Sequence, residues 1–282
     1  MHFASMRQYI VVLIIAAVVA LAVTAYLSLP RAYLLMATTT STRDTGLLPP
    51  MLRNFTLDTG IEVRYIAVGT GQALDAGRRG DVDVVMVHAP ALEAEFIASK
   101  DGLCRNQIMY NTFVIVGPAG DSAGVRNATS APDALARIYD NRSRFESRAD
   151  NSGTNIKELA LWSAAGLNAS SFGTWYEKTN QGMGATLTIA NERAAYTLSD
   201  DGTWFAREPT LPYLGLLYNR TDSVLRNQYS VIPVNPATHP GVFSERALAF
   251  AQWLVGPRGQ SFIGAFKVHG HTIFTPDGTG DC

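Results

Sequence analysis

Along the chain, short apolar runs of strand character alternate with longer stretches in which apolar residues recur at helical spacing. Tyr33-Leu34-Leu35-Met36-Ala37 opens the pattern, followed by four consecutive hydroxyl residues, Thr38-Thr39-Thr40-Ser41, and a helix predicted from Pro49 to Asp58. Ile61 to Val68 alternates as a strand does, ends in Gly69-Thr70-Gly71 and leads to a helix starting near Gln72. Val82 to Val87 is a near-continuous apolar strand of the kind buried on both faces, and Pro90 to Ser99 reads as the next helix, with proline at its start. Strand, loop and helix repeating in this order predict a mostly parallel sheet with helices on both faces. Ligands of such sheets bind beyond the carboxyl ends of the strands, so Thr38 to Ser41, Gly69 to Gly71 and His88-Ala89-Pro90 fall on one rim.

Met109 to Pro118 is long for one strand, and a strand of about ten residues can leave one sheet and enter another. The first passage between two lobes is placed there, and the return at Tyr229 to Pro236. Between them lie a helix from Pro132 to Asn141 with Ser130 as candidate cap, the polar run Ser147 to Thr154 ahead of the amphipathic Ile156, Leu159, Ala160, Leu161 and Trp162, and a short strand from Ala194 to Asp200. Phe243 to Leu254 and Gln260 to Phe266 should pack back on the first lobe. The expected fold is α/β and two-lobed, each lobe a mixed, mostly parallel sheet flanked by helices. Residues 32–115 with 228–282 form lobe 1 and residues 116–227 lobe 2, preceded by an N-terminal membrane anchor or signal segment over 1–31.

That first segment carries no charge between Arg7 and Arg31, and Ile10 to Leu27 is almost wholly apolar, enough helix to cross much of a bilayer. Its length favours an uncleaved anchor with the globular part outside, although Val23-Thr24-Ala25 offers small residues for signal cleavage. No cysteine ends the run, so a lipid-modified cysteine is excluded. Cys104 and Cys282 either pair in an oxidising compartment or stay separate, and both options remain open. Sequons begin at Asn54, Asn127, Asn141, Asn168 and Asn219 and fit an outer-surface protein.

Composition narrows the partners. With 47% hydrophobic and 17% charged residues the 282-residue chain is an ordinary folded protein, and its formal net charge of -1 leaves no electrostatic footprint for nucleic acid. Any anion site must therefore be built locally. Hydroxyls at a strand-to-helix junction, next to free N–H groups, suit a small tetrahedral anion. Ser152-Gly153-Thr154 sits at another helix start, where uncapped N–H groups and the helix dipole favour negative charge, and Arg148 beside it supplies a guanidinium. The same residues can simply cap the helix, and Asp150 can either orient Arg148 or cap it. Gln181-Gly182-Met183-Gly184-Ala185-Thr186 lets backbone come close to a ligand or to the other lobe, and Arg193 is a second candidate cation.

Enzyme signatures are missing. Gly69-x-Gly71 has Leu74 where a dinucleotide fingerprint needs glycine, and there is no Gly-x-Ser-x-Gly elbow and no phosphate-loop Gly-Lys-Ser/Thr. His269-x-His271 can place two imidazoles on one strand face without a cysteine or acidic partner, so no metal is expected; His88, ending a buried strand, reads as structural.

With these motifs in view, the sequence from about Tyr33 to Phe274 resembles the tungstate-binding proteins of ABC-type uptake systems. Thr38-Thr39-Thr40-Ser41 is similar to that family's first ligand motif, Gly69-Thr70-Gly71-Gln72-Ala73-Leu74 to its second rim loop, and Ser147-Arg148 through Ser152-Gly153-Thr154 to the opposing clamp. Met109-Tyr110-Asn111, Gln181-Gly182-Met183-Gly184 and Ala195-Tyr196-Thr197-Leu198 agree as well. The resemblance implies a type II periplasmic-binding-protein architecture that closes on its ligand by hinge motion. It implies Thr39, Thr40, Ser41 and Thr70 on one wall and Arg148, Ser152, Gly153 and Thr154 on the other. It also implies an extracytoplasmic monomer without cofactor that takes tungstate, or molybdate, and delivers it to a membrane permease. Ala149 stands where the family commonly has Gly, Asn155 where it has His, and Asp201 where it has Arg; Pro49-Pro50 shifts the start of the first helix. Alternatives are a molybdate, sulfate or phosphate receptor, or an anchored phosphate-ester hydrolase with Asp150 or Asp44 as base.

Overall fold

Where apolar residues face both ways, as in Val84–Val87, a strand must be covered by helices on each side, and the fold supplies them. The computed structural model describes residues 12–19, 21, 33–220, 222–280 and 282. Residues 12–19 and 21 are helical and belong to a unit separate from Leu34–Cys282. The remainder of the expected anchor lies outside the described residues, and among the described residues no helix is long and apolar enough to cross a membrane.

The strands are β1 (Tyr33–Thr39), β2 (Glu62–Val68), β3 (Val84–Val87), β4 (Asn106–Pro118), β5 (Phe145–Ser147), β6 (Tyr176–Lys178), β7 (Thr197–Asp200), β8 (Leu214–Tyr218), β9 (Arg226–Pro233), β10 (Lys267–Val268), β11 (His271–Thr272) and β12 (Thr275–Gly280). The principal sheet runs β12-β4-β9-β3-β1-β2, with β7 and β8 also pairing β4. β1 alternates between two cores. Leu34 and Met36 pack with Met51, Phe55 and Phe250, whereas Ala37 packs with Val85, Val87 and Phe96 on the opposite face. Burial on both faces explains why β1 and β3 read as continuous apolar runs.

β4 carries the chain from one set of partners to another. Asn106 to Thr112 pairs with β9, and Phe113 to Pro118 pairs with β7 and β8. Its side chains change cores accordingly: Ile108 and Met109 lie with Leu34 and Phe250, Phe113 and Ile115 with Trp162 and Tyr196, and Val114 and Val116 with Met183 and Trp204.

The sheets are mixed, but not mostly parallel as expected. β1–β3 and β5–β6 are parallel, while β3–β9, β4–β9, β4–β7, β4–β8 and β4–β12 are antiparallel. The chain goes out along β4 and comes back along β9, and two such passages lying side by side must run in opposite senses.

Helices begin close to where their caps and prolines place them. Pro49 and Pro50 occupy the first turn of Leu48–Thr59, where missing N–H groups cost nothing, and Ser130 Oγ accepts from Asp133 N–H at 3.2 Å at the start of Ala131–Asp140. The expectation for His269 and His271 fails. His269 has φ +48° in the turn joining β10 to β11, and the His271 ring stacks on Phe205 at 4.1 Å, so the two imidazoles share no strand face.

Cys104 and Cys282 are disulfide-bonded with Cα atoms 5.8 Å apart, closing a loop of 178 residues. Replacing both by Ser frees the unfolded chain of that constraint and should lower unfolding stability by about 2–5 kcal/mol. Urea denaturation of the two forms checks this, and equal stabilities would refute it.

Candidate anion-binding site

Four helix starts meet where the two sides of the molecule face each other. Thr39 caps the short helix Thr40–Asp44, Gly69 caps Thr70–Arg78, Ser152 caps Gly153–Ala164 and Gly182 caps Met183–Arg193. Several pairs fix their proximity. Gly153 N–H donates to Thr70 Oγ1 at 3.1 Å, and Arg148 Nη2 donates to Thr40 Oγ1 at 3.4 Å. A Cβ on Gly182 would lie 3.1 Å from Thr40 Oγ1, one on Gly71 3.3 Å from Asn151 Nδ2 and one on Gly69 3.5 Å from the Asp150 carbonyl. Converging helix N-termini sum their positive dipole ends at one place, which a small anion would complement.

Arg148 lies at the centre, with its side chain 2% exposed. Its Nε donates to the Gln181 carbonyl at 3.3 Å, Nη1 to Thr154 Oγ1 at 3.4 Å and Nη2 to Asp150 Oδ2 at 2.5 Å. Asp150 Oδ1 also accepts from Ser152 N–H at 3.2 Å, so it both orients the guanidinium and closes the turn ahead of the helix, which Ser152 caps. The loop bearing them is strained: Ala149 and Asn151 have φ of +50° and +55°. A side chain in that region costs about 1 kcal/mol, which glycine avoids, so Ala149 holds the turn at an energetic cost.

The opposite wall is a cluster of buried hydroxyls. Thr39 Oγ1 lies 3.1 Å from Ser41 Oγ and 2.7 Å from Thr42 Oγ1, and Ser41 Oγ lies 3.1 Å from His88 Nε2. Thr38 faces away, its Oγ1 donating to the Met86 carbonyl. Thr39, Thr40, Ser41, Thr70, Arg148, Gly153 and Thr154 are therefore brought together; Ser152 joins them as the cap, accepting from Asn155 N–H at 3.3 Å. Arg193 stands apart, paired with Glu146 and Glu177.

Three buried groups in or around this cluster have surroundings that the sequence does not show. His88 packs across the interface, where a Cβ on Gly153 would come within 2.7 Å of its carbonyl oxygen and 2.8 Å of its Nδ1. Burial first, and the Arg148 charge after it, push the imidazole down to about 4 against the bond to Asn227. Its position on the rim was legible; its contact with Ser41 was not. Glu158 lies beneath the clamp, accepting from Ser147 Oγ at 2.7 Å, Tyr176 Oη at 2.6 Å and Trp162 Nε1 at 3.1 Å. Burial nevertheless pushes it up to about 7. Asp201 is pushed up to about 8 by burial and by the neighbouring Asp200.

Chemically the arrangement offers hydroxyl and backbone donors on one side and a guanidinium on the other. Gly153→Ala should hold the two sides apart and weaken anion binding at least about tenfold, because its methyl meets backbone that cannot yield. Calorimetric titration checks this, and unchanged affinity would refute the packing argument. Glu158 binds its proton more tightly folded than unfolded, so stability should fall as pH rises from about 4.5 to about 7, by about 3 kcal/mol in all. Glu158→Gln should abolish that slope in pH-dependent denaturation, and a slope that persists would contradict the assignment.

Comparison with known proteins agrees in fold and sequence. Residues 24–258 match a family model described as a PBP superfamily domain. The chain is 43% identical over 248 residues to the tungstate-binding protein of Peptoclostridium acidaminophilum, covering 86% of this chain and 85% of that one. It is 35% identical to the tungstate-binding protein of Campylobacter jejuni, covering 84% and 88%. Among solved structures it is similar to the tungstate-binding protein from Desulfovibrio alaskensis G20, with 45% identity, TM-score 0.76 and coverage of 88% and 100%. The tungstate ABC transporter structure from Geobacter sulfurreducens gives 43% identity, TM-score 0.78 and coverage of 84% and 100%.

Proposed function

The chain belongs to the tungstate-binding proteins of the PBP superfamily, and from that membership we propose that it is the solute receptor of an ABC-type tungstate uptake system. It works outside the cytoplasm, held there or exported by the apolar segment within residues 1–31. Lobe 1, residues 32–115 and 228–282, and lobe 2, residues 116–227, close on the anion, and the loaded monomer delivers it to the membrane permease. No reaction is catalysed and no cofactor takes part.

The observation that carries this reading is the meeting of Arg148 with Thr40 across the interface, among hydroxyls and helix starts. A tungstate dianion has acceptors only, so a socket of donors suits it on every side. Hydrogenphosphate still bears a proton and is better served by an additional acceptor. Thr39, Thr40, Ser41 and Thr70 supply donors from one side; Arg148, the Gly153 N–H and Thr154 supply them from the other, with Ser152 ordering the turn. Closure excludes water and strengthens each charge-assisted bond, so the ligand shifts the molecule toward its closed form. The weak 3.4 Å contacts of Arg148 to Thr40 and Thr154 are those an anion replaces with shorter ones.

Arg148→Ala should weaken tungstate binding about 100-fold or more, the scale of losing charge-assisted hydrogen bonds at a buried site. Arg148→Lys should restore only part, because a point charge cannot reproduce the fork. Calorimetry with tungstate, molybdate and sulfate checks both variants and the preference; wild-type affinity in Arg148→Ala would sink the assignment.

A further inference from the structure

Donation to an anion needs a proton on each hydroxyl, and at Ser41 that proton is already engaged. Buried side chains run in a line from Asp200 to Ser41. Asp200 Oδ1 lies 3.4 Å from Asn111 Nδ2, and Asn111 Oδ1 lies 2.8 Å from Asn227 Nδ2. Asn227 Oδ1 then lies 2.9 Å from His88 Nδ1, and His88 Nε2 lies 3.1 Å from Ser41 Oγ. The direction of the line is set at its far end. Asp200 Oδ1 accepts from Thr203 N–H at 2.8 Å, so it is an acceptor and Asn111 donates to it. Each amide has one donating and one accepting end. Asn111 therefore shows its oxygen to Asn227, and Asn227 shows its oxygen to His88. The imidazole accordingly carries its hydrogen on Nδ1. Because burial holds the ring neutral near pH 7, Nε2 is a bare lone pair and Ser41 O–H donates to it. Ser41 Oγ, which also lies 3.1 Å from Thr39 Oγ1, then has only lone pairs left to offer an anion, and these repel a dianion.

We infer that capture of a dianionic oxyanion is coupled to uptake of one proton at His88, which converts Ser41 from an acceptor to a donor within the site. The proton comes from solvent and forms the Nε2–H bond. Imidazolium Nε2–H then donates to Ser41 Oγ, and the freed hydroxyl hydrogen turns to the anion. This rests on the receptor reading above and adds to it a proton that travels with the ligand.

The groups facing His88 come from each neighbouring element. Arg148, from the clamp loop, disfavours the imidazolium, and Asp150, from the same loop, favours it. The start of helix Gly153–Ala164 disfavours it through its dipole. β9 contributes Asn227 and the Tyr229 ring, stacked on the imidazole at 4.7 Å. Ser41 completes the set. A bound dianion places two negative charges one hydroxyl away from the ring and reverses this balance.

Between the titration points of His88 in the free and loaded protein, affinity should rise as pH falls, approaching about tenfold per pH unit. The test is calorimetry of tungstate binding to the intact protein in buffers of different ionisation enthalpy, combined with nitrogen NMR of the imidazole. The expected results are uptake approaching one proton per tungstate at pH 6.5, a free protein with hydrogen on Nδ1 only, and a loaded protein with hydrogen on both ring nitrogens. His88→Gln should bind with near-zero uptake; should that variant not fold, the wild-type uptake and the NMR decide. Tungstate binding without proton uptake, or Nε2–H in the free protein, would overturn the inference alone. No binding of tungstate at all would overturn the receptor reading and this inference with it.

Discussion

A guanidinium buried between two faces of a protein must be compensated, and the site depends on how incompletely Arg148 is. Asp150 neutralises its charge through one strong contact, while the bonds to Thr40, Thr154 and Gln181 are all 3.3–3.4 Å long. A buried charge with one firm partner and several loose ones gains most from a second anion. The helix starts around it point the same way, so the attraction is local in a chain whose net charge is -1. This is why a protein with no basic excess can still hold a doubly charged ligand.

Holding that guanidinium in place occupies much of the surrounding chain. β5 delivers Ser147, two left-handed residues turn the loop back, and Ser152 starts the helix that Glu158 anchors from below. Across the interface, β1 ends at Thr39 just where β3, its parallel neighbour, ends at Val87 ahead of His88. Parallel pairing brings both carboxyl ends to one rim, so the hydroxyl cluster and the imidazole meet without any special loop. Gly153 then allows the two sides to touch, its missing side chain leaving room for the His88 backbone.

Much of this is legible in the amino-acid sequence. The buried strands β1 and β3 read as apolar runs because both faces are covered, and Thr39 to Ser41, Thr70 and Arg148 to Thr154 stood out as donors at helix starts. What periodicity cannot show is which distant strands become neighbours. The antiparallel β4–β9 pair, which keeps the sheets from being mostly parallel, leaves no such signal. The same blindness hid the line from Asp200 to His88, whose members lie on β7, β4 and β9 and at the end of β3. In sequence His269-x-His271 looks like continued alternation, whereas His269 and Gly270 form the turn between β10 and β11. Glu158 stands four residues after Thr154, a spacing that in sequence fits a capping partner, and only the packing of Trp162 and Tyr176 around it reveals a buried carboxyl.

Arg148 and the hydroxyls of residues 39–41 should hold one anion between them. Anomalous X-ray diffraction at the tungsten edge, from crystals of the chain grown with tungstate, locates the metal directly. The expected result is one strong peak with its oxygens within hydrogen-bond distance of the Arg148 guanidinium, the Gly153 N–H and the Thr39 to Ser41 hydroxyls. A tungsten peak elsewhere on the molecule, with Arg148 still bonded to Thr40 and Thr154, would contradict it.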